Sequence, residues 1–148
     1  MNKITIDHQF GIQSEMRLLP VFQKFFNDET IERIKNPRAS FDYKGDNKFI
    51  ELKTRRCLSL TYPDTIIPVC KFKDIKPGVD YYFVFKFTDK MLYCKYEPFR
   101  FSGFRQAENS RFDRGREEKQ LYYFIPINFL TELIYEEPDP ENNFVVEF

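Results

Sequence analysis

Tryptophan is absent from this chain, histidine occurs once, and neither sign of charge is in excess: 23 lysines and arginines face 23 aspartates and glutamates. Zero net charge speaks against a strongly basic, non-specific nucleic-acid binder. The lone His8 has no partner at a useful spacing. Only three cysteines are present, Cys57, Cys70 and Cys94, with no CxxC pair. That odd, scattered set fits neither a disulfide framework nor a zinc knuckle, and small buried hydrophobes in a reducing compartment are expected instead. No GxxxxGK[ST], GxGxxG or GxSxG occurs, so nucleotide triphosphates, dinucleotides and hydrolase-type serine chemistry have no support. No segment approaches the roughly 20 apolar residues that span a bilayer, and MNKITIDHQF has no apolar run of signal-peptide length. A soluble, intracellular protein of cytoplasm or nucleus, without a membrane partner, is the expectation.

What is present is a surplus of aromatics, 18 Phe and nine Tyr in 148 residues. A chain of this length and composition buries one good core, so residues 1–148 are expected to form a single folded domain. No internal repeat, low-complexity segment or linker divides it. Charge is nevertheless segregated. From Lys44 to Lys76 eight basic residues face four acids, and from Glu132 onward there are six acids and no base. Basic character thus collects mid-chain and an acidic tail begins at about residue 132, a pattern that gives weak support for an anionic ligand.

Along the chain, GIQSEMRLLPVFQKFFND places Leu18, Phe22, Phe25 and Phe26 at helical spacing. Glu15 stands three before Leu18 on that same face, Ser14 is a candidate N-cap, and Pro20 implies a kink or a late start. A helical turn is expected over 28–35, ended by NPRAS. Residues 39–43 and 48–54 flank the turn signal GDN and read as a hairpin. PDTIIPVCKFKDI, 63–75, reads as a short, proline-interrupted helix. YYFVFKF and MLYCKY, joined by TDK, make the clearest hairpin. An arginine-rich loop then leads to a further strand, LYYFIPINF. The predicted class is α/β or α+β, a sheet with a helix on each face.

Within the first hairpin a two-residue turn at Asp46-Asn47 would pair Lys44 with Phe49, Tyr43 with Ile50 and Asp42 with Glu51. Opposite residues of an antiparallel pair share a face, with Cβ atoms about 4.5–5.5 Å apart, and the period of two adds Lys53 to that face. Two carboxylates so placed repel unless one is protonated or a cation lies between them. Paired carboxylates suit Mg²⁺, which retains waters that a phosphate can displace, and a neighbouring lysine can orient such a water. Glu15, on an apolar helix stripe, also needs a cation or hydrogen-bond partner.

Glu15 on a first helix, then Asp42, then IELK ending in Glu51-Leu52-Lys53, resembles the PD-(D/E)xK nuclease superfamily of restriction endonucleases, Holliday-junction resolvases and phage exonucleases. The resemblance implies a mixed sheet flanked by helices in the order αβββαβ over residues 11–96, with an extra C-terminal strand here. It implies Mg²⁺ or Mn²⁺ held by Asp42, Glu51 and the Leu52 carbonyl, Lys53 as the catalytic lysine, and Glu15 joining the metal shell. Lys71 would contact phosphate. The residue before Asp42 is Phe41, where the superfamily pattern has proline. The implied activity is hydrolysis of DNA phosphodiesters, on branched or single-stranded structures among others, in repair, recombination or viral or phage genome processing, by a homodimer or a larger assembly. Two rivals stand beside it: a nuclease-like module without catalysis that binds nucleic acid or protein, and an unrelated interaction domain in which D-x8-E-x-K is a solvated hairpin face.

Other residues carry two readings each. Counting by twos from Lys53 puts Arg55 rather than Arg56 toward the site, to grip a nucleic-acid phosphate or to end the strand in solvent. Tyr62 could stack on a base, but the aromatic surplus favours packing. Arg100, Arg105, Arg111, Arg114 and Arg116 lie among acids that nearly balance them, which favours a solvated loop.

Overall fold

The computed structural model describes residues 3–111 and 118–137. The first helix, α1, runs Lys3–Phe25, well before the stretch that its apolar spacing marks. Ser14 is therefore inside the helix and caps nothing. Pro20 is also internal, exposed on the outer side. The helix ends as Asn27 turns to φ 48°, a left-handed conformation that asparagine adopts more readily than most residues. Leu18, Val21 and Phe22 form its buried stripe.

Three short antiparallel steps follow: β1 (Glu32–Arg33), β2 (Tyr43–Lys44) and β3 (Lys48–Thr54). The helical turn expected over 28–35 is replaced by β1, because Ile31 is drawn into the core and Glu32 and Arg33 pair with Lys44 and Tyr43. The first hairpin arm is shorter than 39–43, since backbone pairing begins only at Tyr43. The turn itself is the two-residue one, with the Gly45 N–H donating to the Lys48 carbonyl at 2.9 Å.

The segment read as a helix over 63–75 is instead strand β4 (Asp64–Pro68) and a 3-10 turn, Val69–Phe72. Proline at 63 and 68 and the β-branched Thr65, Ile66 and Ile67 between them disfavour a helix and suit an extended segment. Strands β5 (Asp80–Lys86) and β6 (Met91–Lys95) form the expected hairpin. A single helical turn, α2 (Pro98–Phe101), comes next. The arginine-rich stretch is not all loop: β7 (Arg105–Arg111) pairs along its length with β8 (Glu118–Pro126). Arg114 and Arg116 lie outside the described residues. A short β9 (Thr131–Glu132) closes the order.

These strands form two sheets. A six-stranded mixed sheet has the order β1-β2-β3-β5-β6-β9, in which β3 and β5 run parallel and the other pairs antiparallel. A three-stranded antiparallel sheet has the order β4-β8-β7. The connection from β3 to its parallel neighbour β5 thus passes through the smaller sheet and not through a helix.

Strand alternation sorts the core into two layers. Tyr43, Ile50 and Val84 point to α1 and pack on Leu18 and Phe22. Tyr81, Phe83 and Phe85 point the other way, onto Ile67, Phe101 and Ile125. One face of the large sheet is therefore covered by a helix as predicted, and the other by the small sheet and α2. The class is α+β, with a mixed sheet and two α-helices among the described residues. Cys94 is buried, but Cys70 is exposed, so the expected burial of all three cysteines fails there. Among the described residues no helix is long and apolar enough to cross a membrane.

Candidate functional site

The hairpin register is the one that a turn at Asp46-Asn47 dictates: Lys44 pairs with Phe49 and Tyr43 with Ile50. At Asp42 the ladder changes. Its N–H donates to the Ile50 carbonyl at 3.0 Å, although Ile50 is already the partner of Tyr43, so two residues of one arm face one of the other. Such bulge-like steps re-aim a side chain. The Asp42 carboxylate accordingly reaches back to β3, and its Oδ2 accepts the Leu52 N–H at 2.7 Å. It lies within hydrogen-bonding reach of both Glu15 and Glu51. Three carboxylates from three elements (α1, the bend before β2, and β3) are thus linked electrostatically through Asp42.

Glu51 is 4 % exposed, on the face of β3 away from α1. Burial pushes its carboxyl up to about 7, and the Asp42 charge pushes the same way, while Lys53 and Lys71 pull down. Lys53 Nζ lies 3.9 Å from Oε1. Lys71, on the 3-10 turn after β4, brings its Nζ 2.5 Å from Oε2. This ammonium is the ionic partner of the buried Oε2, which has no hydrogen-bond partner. Lys53 is itself depressed, chiefly by burial, with Lys71 and Arg55 adding to the effect. The ammonium of Lys71 also sits 5.6 Å above the Phe41 ring, which fixes its stem.

Glu15 is held from the other side. Arg33 Nε donates to its Oε2 at 2.8 Å, and the buried Tyr43 hydroxyl donates to its backbone carbonyl at 2.6 Å. Burial and Asp42 raise the Glu15 pKa, and Arg33 offsets part of that rise. A cleft of about 420 Å³ opens over Glu15 and Asp42, with Arg33, Lys35 and Asn36 on its wall. Sequence reasoning missed Arg33 and Lys35; the residue types were visible, but only the β1 pairing turns them to this cleft.

Among the described residues no three His, Cys, Asp or Glu side chains converge as a ready-made metal cage. Glu15 turns to Arg33 and Glu51 to the two lysines, and Asp42 is the link between them. The donor set nonetheless suits a hard cation: oxygen ligands only, with like charges in mutual repulsion. Because N–H and C=O of one strand residue point to the same side, the Leu52 carbonyl also faces Asp42.

Of the residues read as nucleic-acid contacts, Lys71 joins the carboxylates. Arg55 does not. Its Nη2 donates to the Ile66 carbonyl at 2.7 Å and its Nε to Thr65 Oγ1 at 3.2 Å, which ties β3 to β4. Tyr62 is largely exposed, on the wall of a second cleft that Arg55 also lines. No protein-family model matches the chain, and comparison with curated proteins gives no match.

Proposed function

We propose that the protein is a metal-dependent nuclease that hydrolyses DNA phosphodiester bonds, built on a restriction-endonuclease-like core. The single observation that carries this reading is the closeness of Asp42 to both Glu51 and Glu15, with Lys53 3.9 Å from Glu51. The topology supports it. A helix, a β1-β2-β3 meander and a parallel neighbour for β3 are consistent with the superfamily order, although β4 and its 3-10 turn stand where that order has a helix. Burying Glu51 beside a second, half-buried acid has a cost that a solvated hairpin would not carry.

In this reading Asp42, Glu51 and the Leu52 carbonyl would hold Mg²⁺ or Mn²⁺, with Glu15 completing the shell. The bound cation supplies a water of lowered pKa and a polarised phosphoryl oxygen. Lys53, partly stripped of water and lowered in pKa, orients the attacking water and donates to the phosphate as charge grows there. Arg33 keeps Glu15 aimed at Asp42 and, with Lys35, gives the cleft its positive side. Repair, recombination or viral genome processing, and a dimeric or larger assembly, are the settings that the superfamily analogy suggests.

Cleavage of branched, single-stranded and duplex DNA with Mg²⁺ or Mn²⁺ tests this. Metal-dependent cutting that Asp42→Ala and Lys53→Ala both abolish is expected. A second reading, a nuclease-like module that binds without cutting, draws on the Lys71 ammonium, which already neutralises Glu51. DNA binding with no cleavage under any metal would establish it in place of the first.

A further inference from the structure

The chain leaving β3 has an apolar surface that the carboxylate site does not use. Leu58, Leu60 and Tyr62 are 57, 82 and 64 % exposed, three large side chains within five residues. Isolated exposed apolar residues are ordinary, but a group of three on one loop marks a contact surface. The loop is firmly anchored and does not dangle. The buried Ser59 donates through its N–H and its hydroxyl to the two carboxylate oxygens of Asp89, at 2.8 and 2.7 Å, and the Thr88 N–H donates to the Cys57 carbonyl at 3.0 Å. A rigid base thus presents the three side chains outward.

Behind the loop lies a cleft of about 520 Å³, within the roughly 300–1,000 Å³ of small-ligand sites. Its floor is the outer face of the small sheet. Register puts Ile66, Phe124 and Arg105 side by side there, and the Arg105 guanidinium lies 3.9 Å from the centre of the Phe124 ring. Asn109, on the same face of β7, adds a donor and an acceptor. Arg55 closes the end nearest β3, two residues or roughly 6.7 Å of strand from Lys53.

We propose that this cleft receives an unpaired nucleobase of the DNA strand lying over Lys53, and that Leu58, Leu60 and Tyr62 form the wedge that keeps that base out of a duplex. The inference rests on the nuclease reading and names its substrate class: strands with unpaired nucleotides beside the scissile bond. The chemistry fits a base better than an apolar peptide. The Arg105 guanidinium, stacked on Phe124, offers a planar surface to any base, and Asn109 can meet its polar edge. Two arginines against one acid, Asp64, make the cleft net positive, and Arg105, unlike the tied Arg55, has its donors placed to meet an attached phosphate. Exposed leucines next to a basic strand end suit wedging between base steps.

The test is equilibrium binding in EDTA, so that cleavage plays no part. The probes are a single-stranded oligonucleotide containing 2-aminopurine and the duplex of the same sequence. The single strand is expected to bind more tightly and to change its 2-aminopurine emission on stacking. Tyr62→Ala and Arg105→Ala, both at exposed positions, should each weaken single-strand binding about tenfold and leave duplex binding unchanged. Equal binding of both forms, no binding, or variants that bind like wild type would overturn the proposal. So would dimerisation lost on Leu60→Ala without any effect on DNA, which would assign the loop to a second copy. If single-strand preference holds while no metal yields cleavage, the base slot stands and the nuclease reading falls.

Discussion

Replacing Glu51 by glutamine should stabilise the protein above neutral pH and leave it little changed in acid. The folded state raises this carboxyl from 4.5 to about 7, mainly because it is buried. An acid whose pKa is raised on folding carries a penalty that is absent below about 4.5, grows as pH rises, and is complete above about 7. At about 1.4 kcal/mol per pH unit, the rise from 4.5 to about 7 corresponds to about 3 kcal/mol once Glu51 is ionised. Glutamine has nearly the same shape and no such penalty. Urea unfolding of wild type and Glu51→Gln at pH 5 and pH 8, without divalent metal, measures the difference. The account expects a difference of under about 1 kcal/mol at pH 5 and a variant more stable by about 3 kcal/mol at pH 8. Saturating Mg²⁺ should then favour the wild type, since a ligand that binds only the folded form stabilises it by mass action. A variant less stable than wild type at pH 8 would refute the reasoning. It would mean that Lys53 and Lys71 repay the burial of Glu51 in full, and that the carboxylate is a structural ion-pair partner and not a strained site.

Asp42→Asn removes the like charge beside Glu51, so the Glu51 carboxyl should titrate below about 7, followed by its side-chain carbon resonance. Lys71→Met keeps the stem over Phe41 but removes a favourable charge, and the same resonance should move its midpoint upward. Phe101→Ala, in the centre of the aromatic layer, should cost about 3–5 kcal/mol in urea unfolding. Phe99→Ala, at 90 % exposure two residues earlier, should cost almost nothing. A comparable loss at both positions would contradict the placement of that layer.

The parts of this molecule that could be read from sequence are those fixed by local chemistry. Gly45-Asp46-Asn47 set a two-residue turn, the turn set the register as far as Tyr43, and the period of two put Glu51 and Lys53 on one face. The bend at Asp42 was not legible, because it arises from the pairing of its own carbonyl with the Ile34 N–H and of its carboxylate with the Leu52 N–H. The helix expected over 63–75 failed for a different reason. VCKF and the prolines resemble a broken helix, whereas the extended state of Asp64–Pro68 is imposed by β8, which is far along the chain. Likewise Arg105–Arg111 has no apolar alternation, and its strand exists because the aromatic β8 offers it an edge. Lys71 was placed near the site on the resemblance alone. Its contact with Glu51 depends on a 3-10 turn that no periodicity announces. The helix carrying Glu15 was legible, but its partner Arg33 was not, since the two meet only when β1 joins the sheet edge.

The central claim is that Asp42 and Glu51 together take up a divalent cation, and a manganese titration followed by the paramagnetic resonance of the free ion tests it most directly. The account predicts saturable uptake by the wild type, lost in Asp42→Ala and in Glu51→Gln and retained in Lys53→Ala, with all three variants folded by circular dichroism. Uptake that survives loss of the aspartate, or wild-type protein that takes up no manganese, would contradict it.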